Sequence, residues 1–365
     1  MLKFGEGTIK QIIVIILFGI IAFSKDITLS YLLKNNSLFA YFAFVIGFGS
    51  KLFSGVLECL LRRSFKYSMK KPSSLSFKDY ITYMLIIVLE VIVISQVWTF
   101  KNGIFSYENF FLFPMLMNCQ IFIIGFSSYL ILDYKFGNHK IAGLIISFVG
   151  MIVILYFFPL VYFIKNRLQN LIITLVIVIT GGLTEVLEKY LLVDKNQNPY
   201  LLICITGIPQ TIILVIFLFF LQDQYILEIT VSNIIFFILC IISQSLYHYM
   251  RIAINYKYTP SLKIIADSFS LTLSFIIILF IPFQHQEVLR SYAIAGIIGY
   301  CICLIGGLIY NEIIIITVWN LDHDTAEGIK ERALIEQIED IRIFNSEREK
   351  TMRIINEANI HNIYY

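Results

Sequence analysis

The chain has 365 residues, 58% of them hydrophobic and 15% charged, with a net charge of +3 and a mean hydropathy of +0.80. A soluble domain is nearer half apolar and a quarter charged, so this much apolar surface points to a bilayer as the solvent. The small net charge gives no case for nucleic acid as a partner.

Ten apolar runs of about 20 residues follow one another, over 9–33, 38–61, 80–100, 109–132, 140–164, 169–193, 199–221, 231–255, 262–283 and 291–318. The expected fold class is an all-α polytopic membrane protein of about ten transmembrane helices. The first run continues past Phe23 into Ser24, Lys25 and Asp26 without a small-residue cleavage pattern, so it reads as a retained span rather than a signal peptide. Loops are short except 62–79. The segment 319–365 is polar, with Ile335, Ile338, Ile341, Phe344 and Ile355 available to form an apolar stripe on a helix.

Cys59, Cys119, Cys204, Cys240, Cys301 and Cys303 all fall in apolar runs with no CxxC or Cys/His spacing, which speaks against a metal site or a disulfide framework. No nucleophile elbow and no Gly-rich phosphate loop is present, so neither an enzyme nor a cofactor is expected.

With both termini in the cytoplasm, the inner segments hold 20 Lys and Arg residues and the outer loops hold 5. That split favours an even number of spans with both ends inside. Short matches also link the two halves. "DITLSYLL" from Asp26 resembles "EVLEKYLL" from Glu185, and each ends a span, the first and the sixth. "AGLIISFVG" from Ala142 and "GYCICLIG" from Gly299 each set two glycines seven residues apart. Five helices repeated twice carry opposite orientations, because five is odd. The expected units are therefore two inverted five-helix repeats, 1–164 and 165–318, and a cytoplasmic tail, 319–365.

Ionisable groups at bilayer depth are costly unless they face a cavity or a partner. Candidates are Lys25 and Asp26 on the first span, Lys51 and Glu58 on the second, Glu90 and Trp98 on the third, and Asn118 and Gln120 on the fourth. The sixth adds Glu185, Glu188 and Lys189. On the ninth, Lys263, Asp267, Ser270 and Ser274 stand at offsets 0, 4, 7 and 11, one helical face over three turns. Such a stripe lines a hydrated path or packs against polar groups on a neighbouring helix. Lys25, Glu188 and Lys189 are charge partners in this reading. Gly143, Gly150, Gly299, Gly306 and Gly307 allow close helix approach, within the chain or across a homodimer.

These stretches resemble solute carrier family 35, most of all its F branch, within the drug/metabolite transporter (EamA-like) superfamily. The resemblance runs over nearly all of 9–315. It rests on "VLEKYLLVDKNQNP" from Val186, "LKIIADS" from Leu262, "LIGGLIYNE" from Leu304, "MLMNCQIFIIGFSSYLIL" from Met115, and the acid at Glu90. It implies ten helices in two inverted halves, with the fourth and ninth facing a central cavity that takes nucleotide sugars or other metabolites. The chain departs from the branch at Met117 and Ser270, where arginines are expected, and at Thr206, where an acid is expected. Loss of two cavity cations bears against a phosphorylated substrate. The resulting expectation is a secondary transporter of a small organic solute in an endomembrane (Golgi, ER or lysosome-like). Its cavity would be lined by Asp26, Glu90, Trp98, Asn118, Gln120, Glu185, Lys263, Asp267, Ser270 and Ser274. The alternative is a non-transporting scaffold or assembly subunit that keeps the fold.

Overall fold

The computed structural model describes residues 2–4, 8–35, 37–65, 76–99, 118–157, 167–220, 229–280, 286–335, 337–338 and 348. Nearly all of them are helical. In chain order the helices are α1 (Thr8–Asn35), α2 (Ser37–Phe65), α3 (Phe77–Thr99), α4 (Gln120–Ile131), α5 (Asn138–Phe157), α6 (Arg167–Lys189), α7 (Pro199–Phe220), α8 (Val231–Lys257), α9 (Pro260–Phe280) and α10 (Gln286–Tyr310). A π turn, Tyr190–Asp194, continues α6, and a 3-10 turn, Val318–Asp324, follows α10. The first part of the fourth expected run lies outside the described residues.

Thr8–Leu29, Pro199–Ile216 and Val231–Lys257 are long and apolar enough to cross a membrane. Leu38–Phe53, Gln120–Ile131, Asn138–Ile154 and Gly296–Tyr310 are shorter apolar helices. The distribution of polarity is the reverse of a soluble protein's. Large apolar side chains such as Ile9, Phe53, Phe126, Ile145 and Ile235 point outward, while Lys51, Glu90, Glu185, Glu188 and Lys263 are buried. A helical chain suits such a surface because its backbone groups are paired within each segment.

α5 packs along α10 in the most extensive helix contact. α1 lies against α8 and α9, and α6 lies against α3 and α4. α2 contacts α7 and α8, and α3 contacts α7. The α5–α10 contact is made by glycines. A methyl on Gly143 would fall 2.7 Å from the Gly306 carbonyl oxygen, and one on Gly150 would fall 2.7 Å from that of Gly299. Gly307 faces Ile265 of α9 instead, at 2.7 Å. The close approach these residues permit is therefore made inside one chain.

The tenth helix stops earlier than 318. Ile313 N–H bonds to the Leu308 carbonyl and Glu312 N–H to that of Ile309, both at 2.9 Å, with Glu312 at φ 58°. This is a Schellman ending, with Ile313 and Leu308 in the same apolar cluster. A non-glycine residue in that conformation costs about 1–2 kcal/mol. Glu312 offsets part of it by accepting from Ala326 N–H at 2.8 Å and pairing with Lys140 at 3.9 Å. The released chain forms β2 (Ile314–Ile316), antiparallel to β1 (Leu2–Phe4), with Leu2 opposite Ile316. Both ends of the helical region thus lie on one side of the bundle, here called the sheet end.

Candidate functional site

Seven ionisable side chains from α2, α3, α6, α8 and α9 meet inside the bundle. Arg251 of α8 is the hub. Its Nη2 donates to Glu90 Oε1 of α3 at 3.0 Å and to Glu188 Oε1 of α6, while its Nε lies 2.9 Å from Glu185 Oε1. Lys263 of α9 reaches the same Glu185 oxygen at 2.9 Å and Asp267, one turn on, at 3.6 Å. On the other side Lys51 of α2 lies 3.6 Å from Glu90 Oε2 and donates to Gln210 Oε1 of α7 at 2.6 Å. Gly207 makes room for it, since a methyl there would stand 2.5 Å from Lys51 Cβ. Asn255 Nδ2 donates to both Glu185 Oε2 at 3.1 Å and Glu188 Oε2 at 3.2 Å, holding the two carboxylates together.

Burial explains why these groups are so densely paired. A lone charge out of water costs several kcal/mol, and paired charges recover this only with good geometry and further hydrogen bonds. The result is an alternating ladder: Asp267, Lys263, Glu185, Arg251, Glu90, Lys51. Three cations face four carboxylates once Glu188 is included.

The expected residues distribute around this ladder unevenly. Glu90, Glu185, Glu188, Lys263 and Asp267 are members. Lys25 and Asp26 pair with each other at 3.1 Å, and Lys25 sits 4.1 Å over the Tyr247 ring of α8. Lys189 instead caps the end of α8, donating to the carbonyls of Asn255 at 2.8 Å and Tyr256 at 3.3 Å, and to that of Tyr258. Ser270 is buried on α9. Gln120 is buried against Gly181 of α6. Asn118 accepts from Ser268 beside a small cleft of about 10 Å³, room for about one water, whose lining includes Ser147, Met151, Ile265 and Cys303. The side chains of Trp98, Ser274 and Glu58 lie outside the described residues.

Arg251 and Lys263 are among the 20 inner-side cations of the positive-inside split, and both are engaged in ion pairs within helices. Removing them changes the 20:5 split to 18:5, which keeps the same preference. The signal for Arg251 was present. Gln244, His248, Arg251 and Asn255 repeat the offsets 0, 4, 7 and 11 on α8, and all but Arg251 are buried. His248 is 7% exposed, its two ring nitrogens have no hydrogen-bond partner among the described residues, and its ring lies 4.5 Å from that of Phe48.

Polar contacts at the sheet end frame the site. Ser76 and Asp79 form a capping box on α3: Asp79 Oδ2 accepts from Ser76 N–H and Oγ–H, each at 2.8 Å. Burial pushes the Asp79 carboxyl up, but the Ser76 hydrogen bonds and the Lys195 ion pair at 3.3 Å outweigh it and leave it below its ordinary value. His139, fully buried at the start of α5, accepts from Ile316 N–H at 3.1 Å and so ties β2 to the bundle. Burial holds its imidazole below the ordinary histidine value, against the pull of Glu312 and Asp322.

No group of three or more His, Cys, Asp or Glu side chains among the described residues could hold a metal ion. A scan of protein-family models finds no match to this chain, and a search of curated proteins finds none either.

Proposed function

We propose that the chain is a multi-pass membrane transporter that moves a small organic solute by alternating access, its two five-helix halves rocking about a site at mid-bundle. The observation that carries this reading is the buried ladder of charges, drawn from helices of both halves. A bundle that needed only to be stable would be served as well by apolar side chains there.

Helix adjacency supports the repeat. Exchanging each helix for the one five places later turns the α1–α8 contact into α6–α3, α1–α9 into α6–α4, and α2–α8 into α7–α3. All of these contacts occur. The pairs α2–α7 and α5–α10 map onto themselves. The shared position of β1 and β2 is in keeping with an even number of crossings, and the excess of inner cations favours a cytoplasmic sheet end. An endomembrane location follows from the family resemblance alone.

The solute class is narrowed by Arg251. Three carboxylates already engage it, which argues against a diphosphate, in line with the departures at Met117 and Ser270. The test is uptake of a metabolite mixture by liposomes carrying the purified chain, compared with Glu185→Gln and Asp267→Asn. Uptake that weakens in both variants is expected. No solute movement at all, with neither variant altering anything, would sink the reading.

A scaffold role is favoured by one observation. Leu334, Ile335 and Ile338 on the tail each expose more than half their surface and stand within about 100° of one another on a helix, an apolar face. A stoichiometric partner that co-purifies and is lost on deleting 325–365 would support it.

A further inference from the structure

The ladder does not stay within one half of the chain. Lys51 and Glu90 belong to the first five helices, and Glu185, Glu188, Arg251 and Lys263 belong to the second five. Within the ladder, the ion pair that crosses between them is Arg251 Nη2 to Glu90 Oε1 at 3.0 Å. At about 1.5 Å per helical residue, Lys263 lies roughly 5 Å from the start of α9, Arg251 roughly 9 Å from the end of α8, and Glu90 roughly 20 Å from the start of α3. The ladder therefore climbs from the sheet end to the middle of the bundle. Its other members are at most 14% exposed, whereas Asp267, at one end of the ladder, is 24% exposed, and Lys25 and Asp26 of α1 are 19% and 46% exposed.

We infer that the Arg251–Glu90 ion pair is a lock that closes the sheet end by holding the two halves together, with Arg251 as the positioning residue. This rests on the alternating-access reading. The reason is what remains when the pair opens. Glu90 keeps Lys51 within its own half, and Arg251 keeps Glu185 and Glu188 within its own. Lys263 keeps both Glu185 and Asp267. No charge is stranded, so separation avoids the large penalty that normally makes a buried ion pair irreversible in practice. A purely structural bridge has no need of a second partner on each side of the break. Other polar contacts cross as well: Lys51–Gln210, whose loss leaves Lys51 with Glu90, and, at the sheet end, Asp79–Lys195 and Lys140–Glu312, whose opening leaves Asp79 with Ser76, Glu312 with Ala326 N–H, and both lysines about a third exposed.

The test is a distance between spin labels at Tyr80 on α3 and Tyr256 on α8, both exposed near the sheet end. It is made in the full chain in lipid nanodiscs after replacement of the six native cysteines. The unaltered pair should give a predominantly short separation. Glu90→Gln should raise the ratio of long to short separations roughly tenfold or more, the effect of losing a charge-assisted bond, and Glu90→Asp should fall between. If Glu90→Gln shows no cooperative melt, Glu90→Asp alone decides. A distribution unchanged from the parent in the folded variants overturns the lock. The measurement needs no solute, so an inactive liposome assay would remove the transport reading without producing this result.

Discussion

Glu185 Oε1 lies 2.9 Å from Arg251 Nε and also 2.9 Å from Lys263 Nζ, so one carboxylate oxygen joins α6 to both α8 and α9. Glu185→Ala should cost about 3–5 kcal/mol of stability, because it leaves two buried cations short of a partner. Glu185→Gln should cost less, since an amide oxygen still accepts. Chemical denaturation in detergent checks the order.

The α5–α10 contact predicts a contrast between glycines. Gly150→Ala sets a methyl 2.7 Å from the Gly299 carbonyl oxygen, so the helices must part, at about 1–3 kcal/mol. Gly49→Ala meets nothing nearer than Thr211 Cγ2 at 3.8 Å. It should be neutral or raise the melting temperature, since alanine favours a helix by about 1 kcal/mol. Equal melting shifts for the two would refute the close-approach account.

His248→Phe should stabilise the chain in the absence of solute. A buried polar group without a partner costs about 1–3 kcal/mol, and a phenyl ring fits beside Phe48. A higher melting temperature is the expected readout. A drop would mean the imidazole holds a contact that this arrangement does not account for.

His139 gives the pH dependence. Its folded value is lowered, so as pH falls the unfolded chain takes up the proton first. Stability from this contact is complete above about pH 6.5 and declines as pH drops from there toward the folded value. Melting temperature measured from pH 8 to pH 5 should fall across that window. His139→Gln, which keeps an acceptor for Ile316 N–H but cannot titrate, should flatten the change attributable to this site.

What was legible in the sequence was whatever repeats along one helix. Lys263 and Asp267 stand four apart, and the structure places them in one ion pair. Arg251 falls within the 231–255 run, four residues from its end, where a cation also reads as part of the inner flank. The 0, 4, 7, 11 pattern through Gln244 and Asn255 would have found it. Which helices meet is a different kind of information. Nothing local in "EVLEKYLL" records that Glu185 faces α8 rather than another helix. Ile314–Ile316 shows a third limit: three isoleucines are equally apolar in a strand or a helix, and the Glu312 turn, not hydropathy, ends α10.

The packing of α1 against α8 and α9 has a consequence for biosynthesis. At about 5–20 residues per second, α1 waits roughly 10–40 s before α8 has been made. During that wait the adjacent Lys25 and Asp26 neutralise each other within α1. The charges of α6, α8 and α9 instead emerge close together and depend on one another. The chain thus places its self-sufficient ion pair on a helix that waits longest for its main partners, and its interdependent ones on helices that arrive in company.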